Sequence, residues 1–329
     1  MSIKEILVFL HNRALLCDEQ FDNDEAIRLA YRIESQLHKV DDLDFVSLFY
    51  LNFSKLFLNG GNIVAADALL KQFDFLFTGK GLNSGIIDFR CYLKSKIFFL
   101  KGDFVTCDEY IDYVINSVST SSVRSELFIM KGYIETENNK GVSTFNNLSK
   151  ALGEAEKTGD KKQIARCYLE LSRALNKSYN ALGASLIREA ERIAKEINDN
   201  ELYYSSLIHR SSIYMFLGLR HKKNEFITEA KEIINGIKEE DLKSIGLKEL
   251  FWTVKGWMLG EIELLKKSLR FNINAGSWSR VCNVLISLYQ ISMEQNDKKR
   301  AKVYAKQGMD AAFRCGNKEI FTFFKEQLI

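Results

Sequence analysis

Between residues 164 and 175 the apolar side chains fall at Ile164, Cys167, Tyr168, Leu171 and Leu175, three, four and seven positions apart. Leu186, Ile187, Ala190, Ile193, Ala194 and Ile197 repeat that stripe in residues 184–197. Such spacing lines one face of an α-helix, because 3.6 residues complete a turn; a strand would need alternation with period two. The helical stretches are interrupted at Glu19-Gln20, Gly60-Gly61-Asn62, Gly102-Asp103, Asn139-Lys140-Gly141, Ser178-Tyr179-Asn180, Gly218-Leu219, Leu259-Gly260 and Asn296-Asp297. These interruptions advance by 38 to 42 residues, the mark of a repeat array.

Each period therefore holds two antiparallel helices of about 16 residues, ~24 Å long. One amphipathic hairpin cannot cover its own apolar stripe and must stack on its neighbours. The expectation is an all-α solenoid of about eight helical hairpins, read as one domain over residues 1–329. Residues 1–42 form an acidic N-terminal hairpin in this reading, 43–316 the repeats and 317–329 a C-terminal capping helix. Asp22-Asn23-Asp24-Glu25 loads negative charge at a helix start, while Gly159-Asp160 and Asn198-Asp199-Asn200 separate successive hairpins.

Composition agrees with a packed chain: 46% of the 329 residues are apolar and 27% charged. Proline is absent, so glycine, asparagine, aspartate, serine and lysine must make every turn. The net charge of +3 predicts no polyanionic partner, although it is unevenly spread. Residues 1–50 carry five basic against ten acidic side chains, and residues 150–329 carry 31 against 23. The six cysteines follow no CxxC spacing and read as small core residues of a reduced compartment. Lys4, Glu5, His11 and Arg13 break the first apolar run, and no apolar run reaches the length of a membrane span. A cytoplasmic location is expected.

Three triplets then stand out, Tyr50-Ser54-Ala66, Cys91-Ser95-Cys107 and Phe128-Gly132-Thr144, with Trp252-Gly256-Ser268 as a fourth. In each, a small residue follows a larger one by four positions, and a second small residue follows twelve later. Small side chains at those places let paired helices approach at the short end of the usual 8–10 Å. In this the sequence resembles the tetratricopeptide-repeat superfamily, which implies a right-handed α-α superhelix. The repeat is about 40 residues rather than the family's 34, and the family's closing proline is missing. Longer repeats of this kind look like those of MalT-type bacterial regulators and of the peptide receptors of Gram-positive quorum sensing. HEAT and armadillo solenoids share a period near 40.

Little in the chain suggests chemistry. The four histidines, at 11, 38, 209 and 221, are far apart and form no metal-ligand spacing; His209-Arg210 is the pair of most interest. The stretch TGKGLNSGIIDF, residues 78–89, lacks phosphate-loop spacing and reads as an inter-repeat loop with Asn83 or Ser84 capping the next helix. Acidic groups such as Asp41-Asp42 and Glu239-Glu240-Asp241 read as solvated caps, and the basic runs at 220–223 and 298–300 as solvated turns. No nucleophile, metal or cofactor site is expected, and neither period nor polar code fits a helical RNA reader.

A solenoid offers its concave groove to a partner. The resemblance implies that the residue after the first small position points into that groove: Lys55, Lys96, Tyr133, Arg173 and Trp257, with Asn176 and Lys177 one turn further on. Three of the first five are basic, which suggests a partner with an acidic or carboxylate-bearing segment, anchored on Tyr133 and Trp257. The expected function is a non-enzymatic scaffold or adaptor that binds a protein or peptide; the alternative is a signalling-peptide sensor. Neither nucleic acid nor membrane is expected as a partner.

Overall fold

The computed structural model describes residues 3–19, 23–137, 141–177 and 181–328, the side chains of Glu19, Asn23, Glu137, Val142, Asn176, Lys177 and Ala181 excepted. The turn residues Gln20, Asn139, Lys140 and Ser178-Tyr179-Asn180 lie outside that description. Within it there are seventeen α-helices and no strand. They are α1 (Ile3–Glu19), α2 (Asn23–Glu34), α3 (Leu43–Asn59), α4 (Ile63–Phe77), α5 (Ser84–Lys101), α6 (Phe104–Val114), α7 (Ser121–Glu137), α8 (Gly141–Thr158) and α9 (Lys161–Lys177). The second half comprises α10 (Ala181–Glu196), α11 (Asn200–His221), α12 (Asn224–Gly236), α13 (Ile245–Leu259), α14 (Ile262–Asn274), α15 (Trp278–Glu294), α16 (Lys298–Arg314) and α17 (Lys318–Glu326). Each odd helix packs against the even helix that follows, giving eight hairpins, and α17 lies on α16.

The turns are made by the chemistry that a proline-free chain leaves available. Gly102 closes α5 at φ +76°, and the Asp103 carboxylate then accepts the Thr106 N–H at 3.2 Å to open α6. Asn296 does the same work at φ +59° ahead of Asp297, whose carboxylate caps Arg300 at 2.9 Å. Asn83 is the cap of α5, accepting from Gly85 N–H at 2.8 Å.

One expected turn is misplaced. The chain does not break at Gly218-Leu219; α11 runs on to His221 and the left-handed residue is Lys222, at φ +54°. Gly218 is instead a close-approach position, where a Cβ would stand 2.5 Å from Ile227 Cγ1 and 3.1 Å from the Lys223 carbonyl. It belongs with the small residues of the triplets. Ser54 donates to the Ala66 carbonyl at 2.9 Å, and the Cys107 thiol to the Ser95 carbonyl at 3.3 Å, so the twelve-residue register is a direct contact between paired helices. At Gly132 and Gly256 a Cβ would come within 2.7 Å of Leu148 and 2.8 Å of Leu265. Gly308 does the same for the last helix, since Phe324 of α17, itself fully buried, fills the space where its side chain would be.

Packing runs mainly between helices adjacent or next-but-one along the chain, as stacking hairpins require. A second kind of contact joins the turns of early hairpins to late ones. Gly61, between α3 and α4, abuts the ring of Phe271 on α14, so closely that a Cβ would lie 2.9 Å from Cζ. Gly102, between α5 and α6, leaves 3.2 Å between such a Cβ and the Cβ atoms of both Ser279 and Cys315. The superhelix thus turns back on itself, and this seam converts its concave groove into a channel.

Candidate functional site

The channel is lined chiefly by the odd-numbered helices α5, α7, α9, α11, α13 and α15, the first of each hairpin, with Phe104 of α6 and Leu148 of α8 at its edges. It divides into two joined chambers of about 360 and 540 Å³ that share Tyr133, Glu170, Arg173, His209, Thr253 and Asn283. Both volumes lie in the range of small-ligand pockets, about 300–1,000 Å³.

The smaller chamber is polar. Arg166 of α9 makes a two-pronged pair with Glu126 of α7, Nη2 to Oε2 at 3.0 Å, and Arg280 of α15 reaches Glu249 of α13 at 3.3 Å. Arg173 holds both oxygens of Glu170, one turn back on its own helix, at 2.9 Å. Glu249 is also held from behind, its Oε1 accepting from Thr253 at 2.9 Å, Ser268 at 2.8 Å and Asn272 at 2.7 Å. These bonds orient the acid toward Arg280 and fix the wall before any ligand arrives. Lys96 of α5 has no acidic partner among the described residues; its ammonium stands 5.8 Å from the Phe99 ring centroid, and burial lowers its pKa. Glu126 holds the Arg166 guanidinium firmly in its charged form, whereas burial, with the charge of Arg173 nearby, pushes His209 well below its ordinary value and leaves it neutral at pH 7.

The larger chamber is the more apolar of the two, although Glu170, Arg173 and His209 border it. Trp257 stacks on Phe216 of α11 with ring centroids 4.8 Å apart, beside Ile213, Val254 and Ile286. Tyr133 stands between the two chambers. Its ring is edge-on to Phe99 at 4.9 Å, and the Arg173 guanidinium lies over it at 5.2 Å.

Of the residues the sequence singles out, Lys96, Tyr133, Arg173 and Trp257 meet in this channel, and all four are half-buried. Lys55 does not join them. It is exposed and lines a separate crevice with Asp18, Asn59, Lys162, Asp199 and Lys243, because α3 belongs to a hairpin outside the part of the superhelix that encloses the chambers. Asn176 and Lys177 lie outside the residues whose side chains are described. The pair His209-Arg210 is divided: His209 faces the channel, and Arg210 turns outward to Glu191 of α10 at 2.6 Å. Glu126, Arg166, Glu170, Phe216, Glu249 and Arg280 are channel residues that the sequence reading passed over. A signal for several of them was present. Stepping back three, four or seven positions from Tyr133, Arg173 and Trp257 stays on one helix face and reaches Glu126, Ile129, Arg166, Glu170 and Thr253.

No protein-family model matches the chain, and no curated protein matches it in sequence. Solved structures do match in fold. A Rap protein complexed with competence and sporulation factor superposes with a TM-score of 0.57 at 12% identity, over 98% of this chain and 97% of that one. NprR in complex with its cognate peptide NprX gives 0.54 at 13% identity, over 99% and 97%. The fold is thus that of the tetratricopeptide-like helical solenoids, shared across nearly the full length of both chains.

Proposed function

We propose that this protein is a non-enzymatic receptor that captures a short peptide, or an extended segment of a protein, inside the channel. The observation that carries the reading is the convergence of Lys96, Tyr133, Arg173 and Trp257 from four separate hairpins on one enclosed groove. Rigid helical walls, paired charges at one end and stacked aromatic rings at the other suit an extended chain, whose backbone and side chains need both kinds of contact. The likeness to NprR, solved with its cognate peptide, supports the same use of the fold.

The finer proposal is that the segment is acidic, or presents its terminal carboxylate, at the polar chamber. Lys96 offers a cation that no described carboxylate takes, so an incoming acid would gain a charge-assisted bond without first breaking an internal pair. A signalling role is the second reading, favoured by the seam: a ring that closes on itself gives a bound segment a means of changing the exposed surface. The free thiols fit a reducing, cytoplasmic compartment, and no described helix is long and apolar enough to cross a membrane.

The test is selection from a displayed library of random peptides against the purified chain, followed by titration of the selected peptides. Enrichment of sequences with an acidic residue or free C-terminal carboxylate at one end and apolar residues at the other is expected. The variant carrying Lys96→Glu and Arg173→Glu should lose capture while circular dichroism stays that of the parent. Undiminished capture by that folded variant would remove the channel from consideration, and selection of nucleic acid alone in a parallel arm would remove the peptide.

A further inference from the structure

Two cysteines face each other at the open end of the last hairpin. Cys282 is fully buried near the start of α15, and Cys315 is half-buried just past the end of α16. Their sulfurs are 3.9 Å apart, about van der Waals contact, while the turn joining the two helices is at the far end, at Asn296-Asp297. Cys315 also lines a crevice of about 950 Å³ along the seam, together with Lys101, Arg314 and Lys318, so a small solute has a path to its sulfur. Three of the remaining cysteines have other engagements. Cys107 donates to a backbone carbonyl, Cys91 accepts from the Tyr110 hydroxyl at 3.8 Å, and Cys167 lies 3.6 Å from the Ser125 hydroxyl.

We propose that Cys282 and Cys315 form a redox-responsive pair that hydroperoxides convert into a disulfide. The Cys315 thiolate attacks one peroxide oxygen, the O–O bond breaks, and hydroxide (or alkoxide) leaves; the sulfur is now a sulfenic acid. The Cys282 thiol then attacks that sulfur, the S–O bond breaks, and the hydroxyl departs with the Cys282 proton as water. Two electrons pass from the two thiols to the peroxide. A dithiol reductant reverses the change by exchange. The division of labour follows from access, Cys315 reaching the crevice and Cys282 lying behind it. Contact with Cys282 lowers the Cys315 pKa to about 7, while that contact and burial push Cys282 upward, which places the reactive anion on the accessible sulfur.

The bond would staple the hairpin at the end its turn leaves open, closing a covalent loop of α15 and α16. Because Cys315 rests against Gly102 across the seam, the staple stiffens one of the two surfaces on which the ring closes. This inference does not depend on what the channel binds.

The experiment uses the full chain, reduced and then exposed to a small excess of hydrogen peroxide, alkylated and mapped by mass spectrometry. Two thiols should disappear, with a linked Cys282–Cys315 peptide two daltons lighter than the sum of its parts, restored by dithiothreitol. The unfolding midpoint should rise by about 3 °C or more in the oxidised chain. Cys282→Ser should leave Cys315 as a sulfenic acid that dimedone traps, and this readout needs only that one variant to fold. Pairing with any other cysteine, linkage between chains, or six alkylated thiols after exposure would overturn the proposal, as would a Cys282→Ser protein that dimedone does not label.

Discussion

The two chambers of the channel share five of their helices, yet one is crossed by charged pairs and the other is walled by stacked rings. Part of the difference is depth along the helices. Glu126, Arg166, Glu249 and Arg280 lie in the first two turns of α7, α9, α13 and α15; Trp257 lies about two turns further along α13, and Phe216 about three turns further along α11. Depth does not act alone, because Lys96 and Arg173 stand as far along α5 and α9 as Trp257 does along α13, so the repeat that supplies the residue matters as well. A linear ligand passing from the smaller chamber into the larger would meet first the charged pairs, then the aromatic surface.

Four changes would break or sharpen that contrast. The largest effect is expected from Glu126→Ala, which leaves the Arg166 guanidinium, about a third exposed to the chamber, without its two-pronged partner and should cost roughly 2.5 kcal/mol in chemical denaturation, less than a fully buried pair would; replacing the pair together by Leu and Met should recover most of it. A single variant within 0.5 kcal/mol of the parent would mean that the pair is solvated and the chamber is open to water. Trp257→Ala should weaken selected peptides by about 2 kcal/mol, ~30-fold by calorimetry, with the loss concentrated in peptides that have apolar residues at one end. Equal losses for all peptides would erase the distinction between the chambers. Lys96→Met keeps the apolar stem and removes the charge. It should cost peptides with an acidic end about 1.5 kcal/mol and leave their amidated or neutral counterparts unchanged.

The smallest effect concerns His209, which both chambers share. Its pKa is lowered in the folded chain, so the unfolded chain takes up the proton first as pH falls through about 6.5, and stability declines from there downward. Burial lowers His11 in the same direction. His209→Gln should reduce the decline seen in chemical denaturation between pH 6.5 and 5 by about 1 kcal/mol, roughly half the full linkage effect because the ring is only half-buried. An unchanged slope would assign the dependence to His11 and to carboxylates elsewhere.

The sequence made the hairpins legible because their signals are local. A stripe of period 3.6 and a twelve-residue register between small side chains are both written within forty residues, which is why the sequence alone pairs Ser54 with Ala66 and Ser95 with Cys107. The same locality placed Lys96, Tyr133, Arg173 and Trp257 on the groove side of their helices. Lys55 obeys the same local rule, yet it misses the channel, because superhelical curvature decides which hairpins enclose the space and curvature accumulates from many small inter-repeat rotations. Gly218 misled for a related reason. A glycine required by a close helix contact and a glycine required by a turn look alike in one dimension. The acids Glu126 and Glu249 were passed over because a carboxylate near a helix start reads as a cap, and only the partner guanidinium from the next first helix, about 30 to 40 residues on, shows otherwise.

Gly61 against Phe271 has one more implication. Repeat arrays ordinarily tolerate gain or loss of a whole unit, since each unit knows only its neighbours. Here a contact between positions some 210 residues apart comes into register only when the intervening units number as they do, so duplication or deletion of a single hairpin would slide glycine past ring and leave the circle unjoined. Evolution of this chain by copying units is thereby constrained in a way that an open array escapes.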